Sequence, residues 1–192
     1  MADRPMSNVG FRMMSASINR RNRKNPPAEM LKKAGIKPGF RVLDYGCGPG
    51  GHSIAAAELV SEQGKIYALD IHPLAVKKIQ KLASDKGLAN IETVCSDYAT
   101  GLKSGSLDMV LLYDVFHNLS NPDDVLSELN RVLKPNGILS FSDHHMQKDE
   151  ILTQIEGSGL FKLYGRSEKT YSFVRLNKGG RNGRKRTNSK AP

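Results

Sequence analysis

The stretch from Arg41 to Ser53, RVLDYGCGPGGHS, restricts this chain more than any other. Val42 and Leu43 are apolar enough to end a buried strand, and Asp44 stands at its carboxyl end. Gly46, Gly48, Gly50 and Gly51 then surround Cys47 and Pro49, and Ile54 to Leu59 reads as the opening of a helix. A strand, a glycine turn and a helix start form the first βα unit of a doubly wound α/β sheet. Ligands gather at such a turn, because helix N–H groups and bare glycine backbone are open there.

The glycines fit two patterns. Gly46, Gly48 and Gly51 match G-x-G-x-x-G, the dinucleotide fingerprint. Gly46, Gly48 and Gly50 match G-x-G-x-G behind an acid, with Asp44 two residues ahead. A carboxylate at the strand end repels a pyrophosphate and attracts a ligand that carries an ammonium group. That favours the second pattern and a cofactor such as S-adenosylmethionine, which has an ammonium, a sulfonium and no phosphate. A turn whose glycines serve only close packing is the plain alternative.

The remaining strands carry acids in order. KIYALD (Lys65 to Asp70) ends in Asp70, nineteen residues past Gly51. A carboxylate there accepts the ribose hydroxyl protons of an adenosine, or else caps the helix that Pro73 opens. Ile91 to Cys95 is a third strand, with Asp97 just beyond it. LDMVLLY (Leu107 to Tyr113) is a near-continuous apolar run suited to the middle of a parallel sheet. It leads into Tyr113, Asp114, Val115, Phe116, His117 and Asn118. Helices are expected over Pro26–Ala34, His52–Ser61, Leu74–Lys86, Asn121–Leu133 and Lys148–Gly157. Lys134 to Gly137 read as a turn before a fifth strand, Ile138 to Ser142. Two late strands, Leu160–Tyr164 and Thr170–Leu176, complete the pattern. Asp143, His144 and His145 follow the fifth strand. Adjacent residues on an extended chain point opposite ways, which favours a polar pocket there over a shared metal ion.

At 192 residues with 39% hydrophobic side chains, one domain is expected. No apolar run approaches the roughly 18 residues of a membrane span. The first residues lack the apolar centre of a secretory signal. Cys47 and Cys95 show no pairing pattern, so a reducing, cytoplasmic compartment is expected. The net charge of +10 is concentrated at the ends, with +5 over residues 1–28 and +6 over 178–192, which leaves the middle near neutral. Such tails can attract nucleic acid or anionic lipid. No aromatic residue interleaves the C-terminal run to stack on bases, so a solvated, disordered tail is the favoured reading. In the segment before the core, Phe11, Met13, Met14 and Ile18 are expected to share one helix face.

VLDYGCGPG resembles the first motif of the class I S-adenosylmethionine-dependent methyltransferases, and the likeness runs from about Pro26 to Leu176. LLYDVFHNL and RVLKPNGILSFSD resemble motifs of the ubiquinone and menaquinone C-methyltransferases. The chain departs from the second motif at Asn136 and Asp143. The resemblance implies a seven-stranded sheet of order 3-2-1-4-5-7-6, mostly parallel, with an antiparallel C-terminal hairpin. It implies an N-terminal arm, serving as a packing arm or as a substrate lid, over residues 1–25, a methyltransferase domain over 26–177 and a basic tail over 178–192. S-adenosylmethionine would be held by Asp44, Gly46, Cys47, Gly48, Gly50, Asp70, Ile71, Asp97, Tyr98 and Tyr113, with Asp97 on the adenine amino group and Tyr98 packed on the ring. A small-molecule methyl acceptor would meet Tyr113, His117, His144 and His145, with His117, His144 and Asp114 as candidate bases. Arsenite methyltransferases are similar but use several cysteines, and this chain has two. RNA methylation through the basic tails, and cofactor binding without turnover, are the rival expectations.

Overall fold

The computed structural model describes residues 4–168 and 170–176; the basic tail and the arm's first three residues lie outside them. A single sheet runs β3-β2-β1-β4-β5-β7-β6, formed by β1 (Arg41–Tyr45), β2 (Lys65–Asp70), β3 (Ile91–Cys95), β4 (Leu107–Tyr113), β5 (Leu133–Ser142), β6 (Phe161–Arg166) and β7 (Tyr171–Arg175). The first five strands pair in parallel, and β7 pairs antiparallel with β5 and β6. This is the expected order and hairpin.

Alternation along the central strands builds two cores. Leu43, Tyr45, Val110 and Leu112 face α5 (Pro122–Val132) and α6 (Lys148–Gly157), where they meet Leu126, Leu129, Ile151 and Ile155. Val42, Met109, Leu111 and Tyr113 face the other way, onto Leu31 of α2 (Pro27–Lys33) and Ala56, Ala57 and Val60 of α3 (Gly51–Val60). Both faces of β1 and β4 are therefore covered, which is why Val42–Leu43 and Met109–Leu112 are consecutive apolar residues rather than an apolar/polar alternation. On the far side of β1, α4 (Pro73–Asp85) turns Ala75, Ile79 and Ala83 inward.

Three local expectations shift. The turn at Lys134–Gly137 is absorbed into β5 as an irregularity: Leu107 pairs with Leu133, and Met109 already pairs with Ile138. Asn121, the first residue of the span expected as a helix, holds the N-cap position of α5, without a side-chain capping bond. The N-terminal segment forms a long helix, α1 (Asn8–Lys24), capped by Ser7, whose hydroxyl accepts from Gly10 N–H at 3.1 Å. Phe11 and Ser15 are buried and Met14 and Ile18 half-buried on its inner face, but Met13 is 71% exposed. At 3.6 residues per turn, positions 11, 14, 15 and 18 share a stripe and 13 falls opposite. Among the described residues, no helix is long and apolar enough to cross a membrane.

Candidate functional site

Strand order reverses between β1 and β4, and a crevice opens beyond their carboxyl ends. Two cavities of about 520 Å³ each occupy it. The first is bordered by Gly46, Cys47 and Gly48 of the glycine turn, by Asp70 at the end of β2 and Ile71 beyond it, by Asp97 after β3, and by Phe11, Met14 and Ile18 of α1. The second lies between α2 and the segment after β5, with Pro26, Met30, Ser142, Asp143, His144, Met146, Ile151 and Tyr171 around it. Arg21, Asn22, His52, Tyr113 and Asp114 border both.

The glycine turn is shaped by its own backbone. Gly46 has φ +73°, and a Cβ there would sit 2.7 Å from Val115 Cγ2. Gly48 has φ +50°, and its N–H donates to Asp70 Oδ2 at 2.8 Å. Asp70 Oδ1 accepts from His72 N–H at 2.8 Å. Each oxygen keeps a lone pair for a hydroxyl on the cavity side. Burial pushes the Asp70 carboxyl above its ordinary range, against these two hydrogen bonds.

Several predicted residues stand elsewhere. Asp44 does not border the cavity. It shares the strand face of Val42, so it lies beneath α3, 2% exposed, with Oδ2 accepting from Ser53 Oγ at 2.5 Å. Burial raises its pKa to about 6, opposed by the Ser53 hydrogen bond and reinforced by the charge of Asp70. Gly50 is also off the wall: it opens α3 with φ +90°, and a Cβ there would lie 2.6 Å from Ile79 Cγ1, so it is a packing glycine. Tyr98 faces a separate shallow groove beside Glu128 and Arg131. Asp97 remains at the first cavity, and its carbonyl accepts from Tyr45 Oη at 3.0 Å.

The Asp44 geometry sets a pH dependence. The folded value lies above the unfolded 3.8, so between about pH 4 and 6 the native state holds a proton that the unfolded chain has lost. Stability therefore declines as pH rises through that window and is flat above it, by about 3 kcal/mol for a two-unit gap. Asp44→Asn keeps an acceptor for Ser53 and removes the buried charge. Its unfolding free energy should exceed that of the wild type by an amount that grows from pH 4 to pH 6, read in denaturant melts. Parallel pH curves for the two proteins would rule the buried charge out.

At the second cavity, the three histidines separate. His117 turns away from both cavities. Its Nδ1–H donates to Asp143 Oδ2 at 2.8 Å, and its Nε2 accepts from Asn118 Nδ2 at 2.7 Å, so both ring nitrogens are committed. His145 donates its backbone N–H to Asp143 Oδ1 and packs its ring between His117 and His144, at 4.1 and 3.9 Å. It too is off the cavity wall. His144 borders the cavity. Its Nδ1 lies 2.8 Å from Asp114 Oδ1 and 3.4 Å from Arg21 Nη1; the shorter contact is to a carboxylate, which only accepts, so it places the proton of the neutral ring on Nδ1 and the lone pair on Nε2. Asp114, a non-glycine residue at φ +53°, also takes Arg21 Nη2 on Oδ2 at 2.6 Å. Burial alone would raise the Asp114 pKa, but the His144 hydrogen bonds and the Arg21 charge hold it below the usual range. Asp114, Asp143 and His144 each present a ligand atom within 4.8 Å of the others, and Arg21 supplies the neighbouring positive charge.

His52 enters the sequence reading only as the start of a helix, and Arg21 and Asn22 are not singled out there. His52 packs edge-on to Tyr113 at 5.0 Å, and burial lowers its pKa to about 4, so it is neutral at the partition of the two cavities. Tyr113 is anchored by its hydroxyl to Ser140 Oγ at 2.6 Å. Arg21 and Asn22 arrive from α1, and no local pattern marks them.

A methyltransferase-domain family model matches residues 36–171. A ubiquinone/menaquinone biosynthesis C-methyltransferase of Burkholderia vietnamiensis is 28% identical over 133 residues, covering 68% of this chain and 53% of that protein. The aklanonic acid methyltransferase of Streptomyces sp. strain C5 is 34% identical over 102 residues, covering 49% of this chain and 46% of that protein. The chain thus spans about half the length of the curated relatives it matches. The crystal structure of an S-adenosylmethionine-dependent methyltransferase from Aquifex aeolicus superposes with a TM-score of 0.78 at 25% identity, over 88% of this chain and all of that one. With a sheet of this order and a glycine turn at its switch point, the chain belongs to the class I methyltransferase-domain family, whose cofactor is S-adenosylmethionine.

Proposed function

We propose that this chain moves a methyl group from S-adenosylmethionine to a small-molecule acceptor, with the cofactor in the first cavity and the acceptor in the second. The observation that carries the reading is the pair of cavities meeting at Tyr113, His52 and Asp114. One has the glycine turn and two strand-end acids, and the other has a histidine–aspartate pair. The first fits an adenosine: Asp70 has free lone pairs toward a ribose diol, Ile71 offers an apolar surface, and Asp97 can take an amino group. Asp44 acts from behind the turn and is not a direct ammonium contact.

S-adenosylmethionine supplies an electrophilic methyl on a sulfonium. The protein's part is then alignment, with acceptor atom and methyl carbon about 3–3.5 Å apart. Tyr113 and His52 form the rigid partition across which the two ligands meet. For an acceptor that must lose a proton, His144 Nε2 receives it, and Asp114 holds the ring's tautomer and balances the charge that develops. His117 serves to position Asp143 and carries no base role. The α1 helix is read as the cover over both ligands, since Arg21 and Asn22 border both cavities.

Incubation with methyl-labelled S-adenosylmethionine and parallel pools of small acceptors and total RNA tests the assignment. Label is expected in the small-molecule fraction. Label in RNA, abolished by removing residues 178–192 or by raised salt, would transfer the function to nucleic acid.

A further inference from the structure

We propose that His72 binds the cofactor through its Nε2–H and, by doing so, couples cofactor occupancy to the seating of α1. The proposal rests on the reading of the first cavity as the S-adenosylmethionine site.

His72 stands at the N-cap of α4, where its Nδ1 accepts from Leu74 N–H at 3.1 Å. That bond uses the Nδ1 lone pair, so the proton of the neutral ring sits on Nε2. Capping accounts for only half of the side chain. The residue is 3% exposed, it borders the first cavity, and its Nε2 is buried without any hydrogen-bond partner. A buried N–H with no acceptor is costly, and native structures rarely keep one that a ligand or water does not satisfy.

The neighbouring acid indicates which ligand would satisfy it. Asp70 lies two residues away, and each of its oxygens already accepts a backbone N–H, from Gly48 or from His72 itself. What remains on Asp70 is acceptor capacity, suited to hydroxyl protons. A hydroxyl that donates to Asp70 turns its own oxygen lone pairs outward, and these require a donor. His72 Nε2–H is that donor. Acid and imidazole together thus recognise both halves of a hydroxyl, which is the chemistry of a ribose diol.

The same ring touches the cover. Phe11 of α1 stacks on His72 with centroids 4.4 Å apart and planes 28° apart, and is itself 4% exposed. In this seat α1 seals the unpaired donor away from water. A ribose oxygen at Nε2 removes that cost, so the ligand favours the seated helix. Ten residues further along, about 15 Å of helix, Arg21 holds Asp114 at 2.6 Å. Cofactor binding at His72 therefore steadies the far end of α1, where the acceptor pair Asp114 and His144 is assembled. The expected order of binding is cofactor first and acceptor second.

The test uses the full chain and S-adenosylhomocysteine, with calorimetry and amide hydrogen exchange. In the wild type, ligand should slow exchange across α1 and move the His72 Nε2–H resonance downfield. His72→Ser retains a good N-cap acceptor, and its short hydroxyl does not reach the position of the Nε2 donor. It should bind about tenfold more weakly, the loss of one buried hydrogen bond, and should give little added protection to α1. Binding within twofold of wild type, with α1 protected as before and an unmoved His72 resonance in the wild-type protein, overturns the inference and leaves the cofactor site standing. Failure of the wild type to bind the ligand at all removes both.

Discussion

Asp70→Ala lowers affinity for S-adenosylhomocysteine by about 100-fold or more. A hydrogen bond to a charged group contributes about 1.5–3 kcal/mol, and this carboxylate is placed to accept two from a ribose diol. The variant also releases the N–H groups of Gly48 and His72, which Asp70 holds at 2.8 Å each, so the glycine turn loses its tether to β2. Folding is expected to survive. Asp70 sits at the sheet's open edge, and removal of a charge that burial disfavours offsets part of the lost hydrogen bonding. Calorimetry checks the affinity, and a cooperative thermal melt of the ligand-free variant checks that the protein is folded. Asp70→Asn, which keeps one acceptor oxygen, should fall between the two. An Asp70→Ala protein that binds the ligand as the wild type does would show that the glycine turn alone carries the cofactor, or that adenosine lies elsewhere.

The second large effect concerns turnover. His144→Gln should lower kcat by about 10²- to 10⁴-fold for an acceptor that must be deprotonated, the range of a lost general base. Affinity for S-adenosylhomocysteine should stay within about twofold, because His144 borders the second cavity and not the first. That division between binding and rate distinguishes a base from a structural histidine. His117→Gln supplies the contrast. Both nitrogens of that ring are held, by Asp143 and Asn118, and the residue faces neither cavity. Its loss should appear first in melting temperature and only weakly in rate. Equal rate losses in the two variants would mean that the histidine cluster acts as one unit, and the separate base role of His144 would be withdrawn. Asp114→Asn should approach His144→Gln in rate, since it removes both the partner that fixes the Nδ1 proton and the anion that Arg21 engages.

Much of the frame was legible in local chemistry. A strand, a glycine turn and a helix start lie within thirteen residues, so Gly46 and Gly48 at the ligand site follow from turn geometry alone. Asp70 closes β2 and Asp97 lies two residues past β3, both at the carboxyl ends of strands read from the sequence. Asp44 was legible in principle and was misplaced, because strand alternation puts it on the face of Val42, beneath α3, and not at the open end. Tyr98 and the histidines differ in kind. His117 and His144 follow β4 and β5 in similar sequence surroundings, and both read as candidate bases. What separates them is Asp143, which takes His117 as its partner and leaves His144 to Asp114. That choice depends on the placing of two strand ends by the register of β4 with β5, including the irregularity between Leu107 and Met109.

The sequence by itself determined the class of fold, the order of the acids and the place of the glycine turn, because these rest on periodicity and turn chemistry that act over a few residues. Only the tertiary structure decided that α1 borders both cavities, that Arg21 reaches Asp114 and that Phe11 lies on His72. Those contacts join residues 61 to 93 positions apart, and no short-range preference of the chain specifies them.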